Sequence, residues 1–368
     1  MHSAQLLTRA LIFSTGRALR RTLRSAACTG SKPALRRVLS CARRLALARR
    51  TMCAPRPPAA PPGAPAMTHQ PSAAHEALAA ELEASGNYRV LRRFQPLQHY
   101  GAPDASASAR GVLIDVETTG LDRQQDSVIE LAVLPFDYAR ASGRVGQVHA
   151  CLLYREDPGR PIPPEVVRLT GITDAQVAGQ KIDDAAVLHA LQSVDLVIAH
   201  NAAFDRVFLE RRLPRFADLP WACSINDVPW KALGYASSSL EFLMFQMCNV
   251  FYQPHAAESD CRAVLHLLCQ QPAAGPSLFA QLLQAAARAT VRVAATDAAF
   301  ATKELLKARG YRWQQGAEGR PKAWTRELPE DLVADECEWL RVTIYGGASG
   351  RWTLEAVDAT TRYTDRQR

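Results

Sequence analysis

The ten residues Gly111-Val-Leu-Ile-Asp-Val-Glu-Thr-Thr-Gly120 constrain the fold more than any other stretch of this chain. The continuous apolar run Val112 to Ile114 suits a central strand covered on both faces. Side chains alternate along a strand, so Asp115 and Glu117, two positions apart, project from the same face. Burying two carboxylates side by side is costly unless a proton or a cation joins them. Hard oxygen ligands of this kind suit Mg²⁺ or Mn²⁺. Thr118-Thr119-Gly120 adds small polar side chains and a backbone that another group can approach closely. The competing reading is a solvated strand edge, and the residues downstream decide between the two.

Ser127 to Phe136, a turn at Ala141 to Arg144, and Val145 to Tyr154 read with the first strand as a three-stranded antiparallel meander. Pro161 to Gly171 reads as a rigid loop entering a short helix, and Asp183 to Ser193 as another helix. Asp195 to His200 then returns as a strand, and the crossover makes it parallel to the first. Antiparallel strands followed by strands alternating with helices describe a mixed sheet covered by helices. Asn201-Ala-Ala-Phe-Asp205 places Asp205 near the start of a helix at the strand's carboxyl end, where such sheets put ligand sites. Phe204, Val207 and Phe208 are the expected buried face of that helix. An acid favouring a helix amino terminus through the dipole is the alternative. In Pro254-His255-Ala-Ala-Glu-Ser-Asp260, Val264, Leu265 and Leu268 define a helix's apolar side, and Asp260 sits on or beside it. His255 precedes the helix on a loop, where it can move and titrate near neutrality as a general base must. A surface histidine next to a proline is the plainer reading.

The three segments DVETTG at 115–120, AHNAAFD at 199–205 and H-x-A-x-x-D at 255–260, in that order, resemble the motifs of the DEDDh 3′–5′ exonucleases. That family includes the proofreading subunit of the bacterial replicative polymerase and ribonuclease T. The resemblance covers roughly residues 109–272, and Arg168-Leu-Thr-Gly-Ile-Thr-Asp174 is similar to the family's loop after the third strand. It implies a ribonuclease H-like α/β fold. It also implies that Asp115, Glu117 and Asp260 hold one divalent ion, and that Asp115 bridges to a second which Asp205 supports through water. Two such ions about 3.5–4 Å apart can activate a water and stabilise the leaving oxygen of an in-line displacement. His255 would accept the water's proton, and the product would be a 5′-mononucleotide released from a 3′ end. Thr118, Thr119 and Leu121 would line the pocket of the terminal nucleotide, with Asn201 and Phe204 on its far side.

The flanks are read by composition. Residues 1–66 contain thirteen Lys or Arg and no acid, which leaves 31 basic against 36 acidic residues in the remainder. The net charge of +8 therefore belongs to the leader, and bulk charge offers no argument for nucleic-acid binding by the rest. A leader rich in Arg, Ala and Pro fits translation upstream of a true start at Met52 or Met67, and a transit peptide is the alternative. Nine cysteines without a Cys-x-x-Cys spacing point to reduced thiols in a cytoplasmic protein. No run of about eighteen apolar residues predicts a membrane span.

The expected organisation is a basic leader at 1–66 and a helix plus extended segment at 67–108. The exonuclease domain comes next at 109–272, then a linker helix at 273–296 and a small α+β unit at 297–368, an arrangement similar to the tail of bacterial stand-alone members of the family. Four of the six tryptophans (Trp313, Trp324, Trp339, Trp352) fall in that last unit, where they are read as core. Stacking on single-stranded nucleic acid is the alternative. The expected activity is metal-dependent hydrolysis of single-stranded DNA from 3′ ends. Trimming of RNA and service as a polymerase-bound proofreading subunit are the alternatives. No clamp-binding peptide stands out.

Overall fold

The structure is a computed structural model that describes residues 72–101, 108–316, 321–347 and 351–365. The leader at 1–66 lies outside the described residues. All the described strands lie within Leu78–Arg368. Among the described residues no helix is long and apolar enough to cross a membrane, and the six described cysteines are free thiols.

The central sheet contains β2 (Ser108–Thr118), β3 (Val128–Ala139), β4 (Val145–Val148), β5 (Leu152–Arg155), β6 (Leu196–Ala199) and β7 (Trp221–Cys223). Its order is β4-β3-β2-β6-β7, with β5 also paired to β3. β2 and β3 are antiparallel, whereas β2–β6 and β6–β7 are parallel. The third strand of the expected meander is split, because the chain leaves the ladder after Val148 and rejoins β3 lower down, where Leu152–Arg155 pair with Glu130–Val133. Glycine is required at Gly111, where a Cβ would stand 2.4 Å from the Phe136 ring across the ladder.

Both faces of the sheet are buried, which explains the unbroken apolar runs in β2 and β3. On one face Leu113, Ala132 and Leu134 pack against α7 (Ala257–Leu268) and α8 (Leu278–Ala287). On the other, Val112, Ile114 and Val116 pack with Val187 of α4 (Asp184–Ala190) and Phe208 of α5 (Ala202–Arg212). The short helices α2 (Pro164–Thr170) and α3 (Asp174–Val177) precede α4, and α6 (Leu240–Leu243) runs into a π turn at Met244–Cys248. Upstream, α1 (Ala73–Ala84) precedes β1 (Arg92–Arg93), which pairs in parallel with β8 (Val250–Phe251). Only those two residues of the expected extended segment join a ladder.

Two expected boundaries move. The segment read as a linker belongs to the core, since α8 sets Phe279 5.5 Å from Phe136 and 5.1 Å from Tyr138. Its last seven residues form β9 (Thr290–Thr296), an inner strand of a second sheet of order β10-β11-β9-β12. The partners are β10 (Arg312–Gln314), β11 (Ala323–Pro329) and β12 (Trp352–Val357). Helices α9 (Lys303–Ala308) and α10 (Val333–Trp339) accompany this sheet. Trp324 is buried with Val293, Leu306 and Leu340, and Trp339 and Trp352 pack at the margin, so these three tryptophans fill a small core. Trp313 stays half exposed on the edge strand, 5.5 Å from Trp324. The last strand ends at Val357, and the chain then turns back onto β7 and α5 after Asp358.

Candidate active site

Alternation along β2 puts Leu113, Asp115 and Glu117 on the face that α7 covers, and Val116 on the face that α5 covers. The helix α7 must bury Ala257, Cys261, Val264 and Leu268 in that face, and its register then brings Asp260 to the strand end with only 9% exposure. Single oxygens of Asp115, Glu117 and Asp260 lie within 4.8 Å of one another. Asp205, 3% exposed at the start of α5, approaches from the opposite face, and the Val116 amide donates to its Oδ1 at 3.1 Å. His255 stands on the loop before α7 with φ of +61°, a left-handed backbone that a branchless glycine would adopt freely and a histidine adopts at a cost.

A cavity of about 840 Å³ opens over these groups. Asp115, Glu117, Thr118, Thr119, Leu121, Asn201, Phe204, Asp205, His255 and Asp260 all line it, so the structure brings together every residue singled out from the sequence. Their surroundings differ. Leu121 is 83% exposed at the rim. The Thr118 hydroxyl donates to the Gly120 carbonyl at 2.6 Å, and that of Thr119 donates to Asp126 at 2.8 Å. Those two hydroxyls therefore shape the turn, and the Asp126 carboxylate sits where a Cβ on Gly120 would come within 2.4 Å.

Sequence reasoning passed over Tyr252, which lines the cavity, and Glu130, which sits across the ladder from Glu117. The Tyr252 hydroxyl donates to Asp260 Oδ1 at 2.8 Å, and the Ala256 amide donates to Oδ2 at 3.2 Å, which together fix that carboxylate. Glu130, the cross-strand partner of Glu117, is buried and accepts from Arg155 at 2.9 Å and from the Ala257 amide at 3.1 Å. An acid inside the apolar run Val128-Ile-Glu-Leu-Ala was the available signal for Glu130. Tyr252 carried none, because its role depends on the turn that follows β8.

Electrostatics separate the site acids from the buried Glu130 and Glu336, which pair with arginines. Among the described residues, no Lys or Arg forms an ion pair with Asp115, Glu117, Asp205 or Asp260. Burial and then the neighbouring carboxylates push Asp115 far above the usual range, and the same causes raise Glu117 to about 8. Burial raises Asp205 to about 7 against the opposing Val116 amide. Burial also raises Asp260, opposed by Tyr252 and the backbone. A cluster of hard oxygen donors, crowded and short of positive charge, fits divalent cations of the Mg²⁺ or Mn²⁺ class. Asp115, Glu117 and Asp260 would hold the first and Asp205 would contribute toward a second.

Residues 112–268 match the model of the exonuclease family RNase_T. This stretch is an exonuclease domain. The DNA polymerase III subunit epsilon of Treponema pallidum is 28% identical over 161 residues, covering 42% of this chain and 72% of that protein. The PolC-type DNA polymerase III of Listeria welshimeri is 34% identical over 114 residues, 30% of this chain and 7% of that protein. The chain thus spans only a small part of the PolC-type relatives it matches. Among solved structures, exonuclease X in complex with 5′-overhanging duplex DNA is 25% identical, covering 48% of this chain and 98% of that one, with a TM-score of 0.35.

Proposed function

We propose that this exonuclease domain is a metal-dependent 3′–5′ exonuclease that releases 5′-mononucleotides from single-stranded DNA ends. The observation that carries the reading is the convergence of four carboxylates from β2, α5 and α7, with His255, on one open cavity, with no Lys or Arg paired to them among the described residues. When bound, divalent cations would supply Lewis acidity toward a phosphoryl oxygen and a nucleophile at neutral pH. The chain's residues do the rest. Asp115, Glu117, Asp205 and Asp260 place negative charge where the cations bind, and Tyr252 and the Ala256 amide hold Asp260 in its orientation. His255, on a loop at the cavity wall, takes the proton from the attacking water. Leu121 and Phe204 present apolar surface against which a terminal base can rest.

The names of the relatives, both DNA polymerase III proteins, favour DNA over RNA and give a second reading, work beside a polymerase. Matched single- and double-stranded DNA and RNA, labelled at the 3′ or the 5′ end, should be offered with Mg²⁺ or EDTA. Mononucleotide release from the 3′ label of single-stranded DNA, absent in EDTA, is the expected result. Release from 5′ ends, or activity indifferent to EDTA, would overturn the proposal. Faster turnover of RNA would transfer it to RNA trimming.

A further inference from the structure

The segment after the last strand does not belong to the small sheet alone. Asp358 to Arg362 form a tight turn in which the Asp358 carboxylate accepts the amides of Thr360 and Thr361 at 2.8 and 3.0 Å. The carbonyls of this turn point at Arg206, a fully buried cation on α5. Its guanidinium donates to the Thr360 and Arg362 carbonyls, both at 2.6 Å, and to Glu210 at 2.5 Å, while stacking 5.4 Å from the Trp221 ring. A buried guanidinium persists only where its donors are satisfied, and the turn supplies two of the closest acceptors. Around it the tail makes further ties: the Trp221 amide donates to Ala359 at 2.7 Å, the Tyr363 hydroxyl to Asp227 at 2.7 Å, and Thr364 to Glu210 at 2.6 Å. Asp365 pairs with Arg123, two residues beyond the cavity-lining Leu121. Arg211 on the same α5 donates to the carbonyls of Arg123 and Asp126.

Most of these contacts fall on the helix that presents Asp205 and on the loop after Gly120, and the rest on β7 and the turn after it. Arg206 is the next residue after Asp205, so whatever fixes one fixes the backbone of the other. The family match ends at residue 268, about ninety residues before this turn begins.

We propose that Asp358–Asp365 is a strap that completes the exonuclease site from outside the matched domain, with Arg206 as the positioning residue through which it holds Asp205 in place. The proposal rests on the assignment of Asp205 to the site. Loss of the strap loosens α5 and weakens cation binding and turnover more than it weakens capture of the nucleic acid.

The test compares the full chain with Arg206→Met, Arg206→Lys and a chain ending at Val357 supplied with a synthetic peptide of residues 358–368. Hydrogen exchange over residues 202–212 provides a readout that needs no activity. The expected results are faster exchange of those amides in Arg206→Met and in the truncated chain, and recovery on adding the peptide. For Arg206→Met, kcat should fall about tenfold and the Mg²⁺ concentration for half activation should rise, with KM for an oligonucleotide within about twofold. Arg206→Lys should lie between. Unchanged exchange in Arg206→Met, or a kcat loss that Mg²⁺ does not modify and that simply tracks the folded fraction, would overturn the strap. A wild-type chain inactive on every substrate, with the exchange results as expected, would overturn the site assignment and leave the strap standing.

Discussion

Two regions of the molecule bury acids and treat them in opposite ways. In the small sheet, Glu336 is 3% exposed and meets two guanidinium groups, Arg326 at 2.6 Å and Arg309 at 3.2 Å. In the central sheet, Asp115, Glu117, Asp205 and Asp260 crowd one cavity and none has a basic partner among the described residues. Glu130 shows that the central sheet can also pair an acid when packing is all that is required, since Arg155 neutralises it one strand away from Glu117. The difference identifies what each acid is for. A paired acid has its counter-charge within the chain, whereas under the proposed function the cluster takes its counter-charge from solution.

The contrast is broken most severely by removing one acid from each side. Asp115→Asn should lower kcat by at least about a thousandfold, the scale of losing a principal electrostatic contact in an enclosed site. In EDTA the same variant should melt at a higher temperature than the wild type, because one source of mutual repulsion is gone. Glu336→Gln should do the reverse, leaving activity within a few fold while costing about 2–3 kcal/mol by denaturant titration, a value reduced for its partly exposed partners. If Asp115→Asn destabilised the metal-free chain as Glu336→Gln does, the two classes of acid would not be distinct.

The pH dependence sharpens the comparison further. Glu117 titrates at about 8 in the folded chain against an ordinary 4.5, mainly through burial and the neighbouring Asp260. A carboxyl raised on folding is protonated longer in the folded state. Its cost to stability is therefore absent below pH 4.5, grows as pH rises, and is complete above about pH 8. Asp205, raised to about 7, acts with the same sign. Metal-free protein should lose stability across this window, and Mg²⁺ should restore more of it at pH 8 than at pH 5. Melting curves at several pH values, with EDTA or Mg²⁺, measure this directly. A Mg²⁺ effect equal at both pH values would mean that the cluster is not where the cation binds.

How much of the molecule was legible in its sequence depends on how local each signal is. Asp115 and Glu117 could be placed on one face because strand alternation is fixed by backbone geometry, and Asp260 because the apolar side of its helix set its phase. The mixed sheet emerged from the strand and helix order. Other features depended on contacts between distant segments. Arg206 looks like an exposed helix residue until the turn at Asp358–Arg362, some 150 residues later, arrives to bury it. The helix Leu278–Ala287 looked like a linker because its neighbours are Pro- and Gly-rich, yet Phe279 found Phe136 and Tyr138. β9 was missed because a strand is recognised by its partners, and those of Thr290–Thr296 begin about thirty residues downstream at Ala323.

The mildest test concerns an acid of intermediate kind. Asp126 lies near the cavity but away from the cation cluster. It accepts from Thr119 at 2.8 Å, from the Asp122 amide at 2.8 Å and from Arg160 at 2.9 Å, with Arg160 almost half exposed. A pair this open to water contributes little to stability, about 0–1 kcal/mol. The two backbone and hydroxyl contacts should hold the turn without it. Arg160→Gln should therefore leave the melting temperature nearly unchanged and shift KM by no more than about twofold, with kcat and the Mg²⁺ response unaltered. A large fall in kcat would place Arg160 among the groups that serve the reacting phosphate. The cation-deficient cluster would then have a basic partner after all, one that reaches it only when substrate is bound.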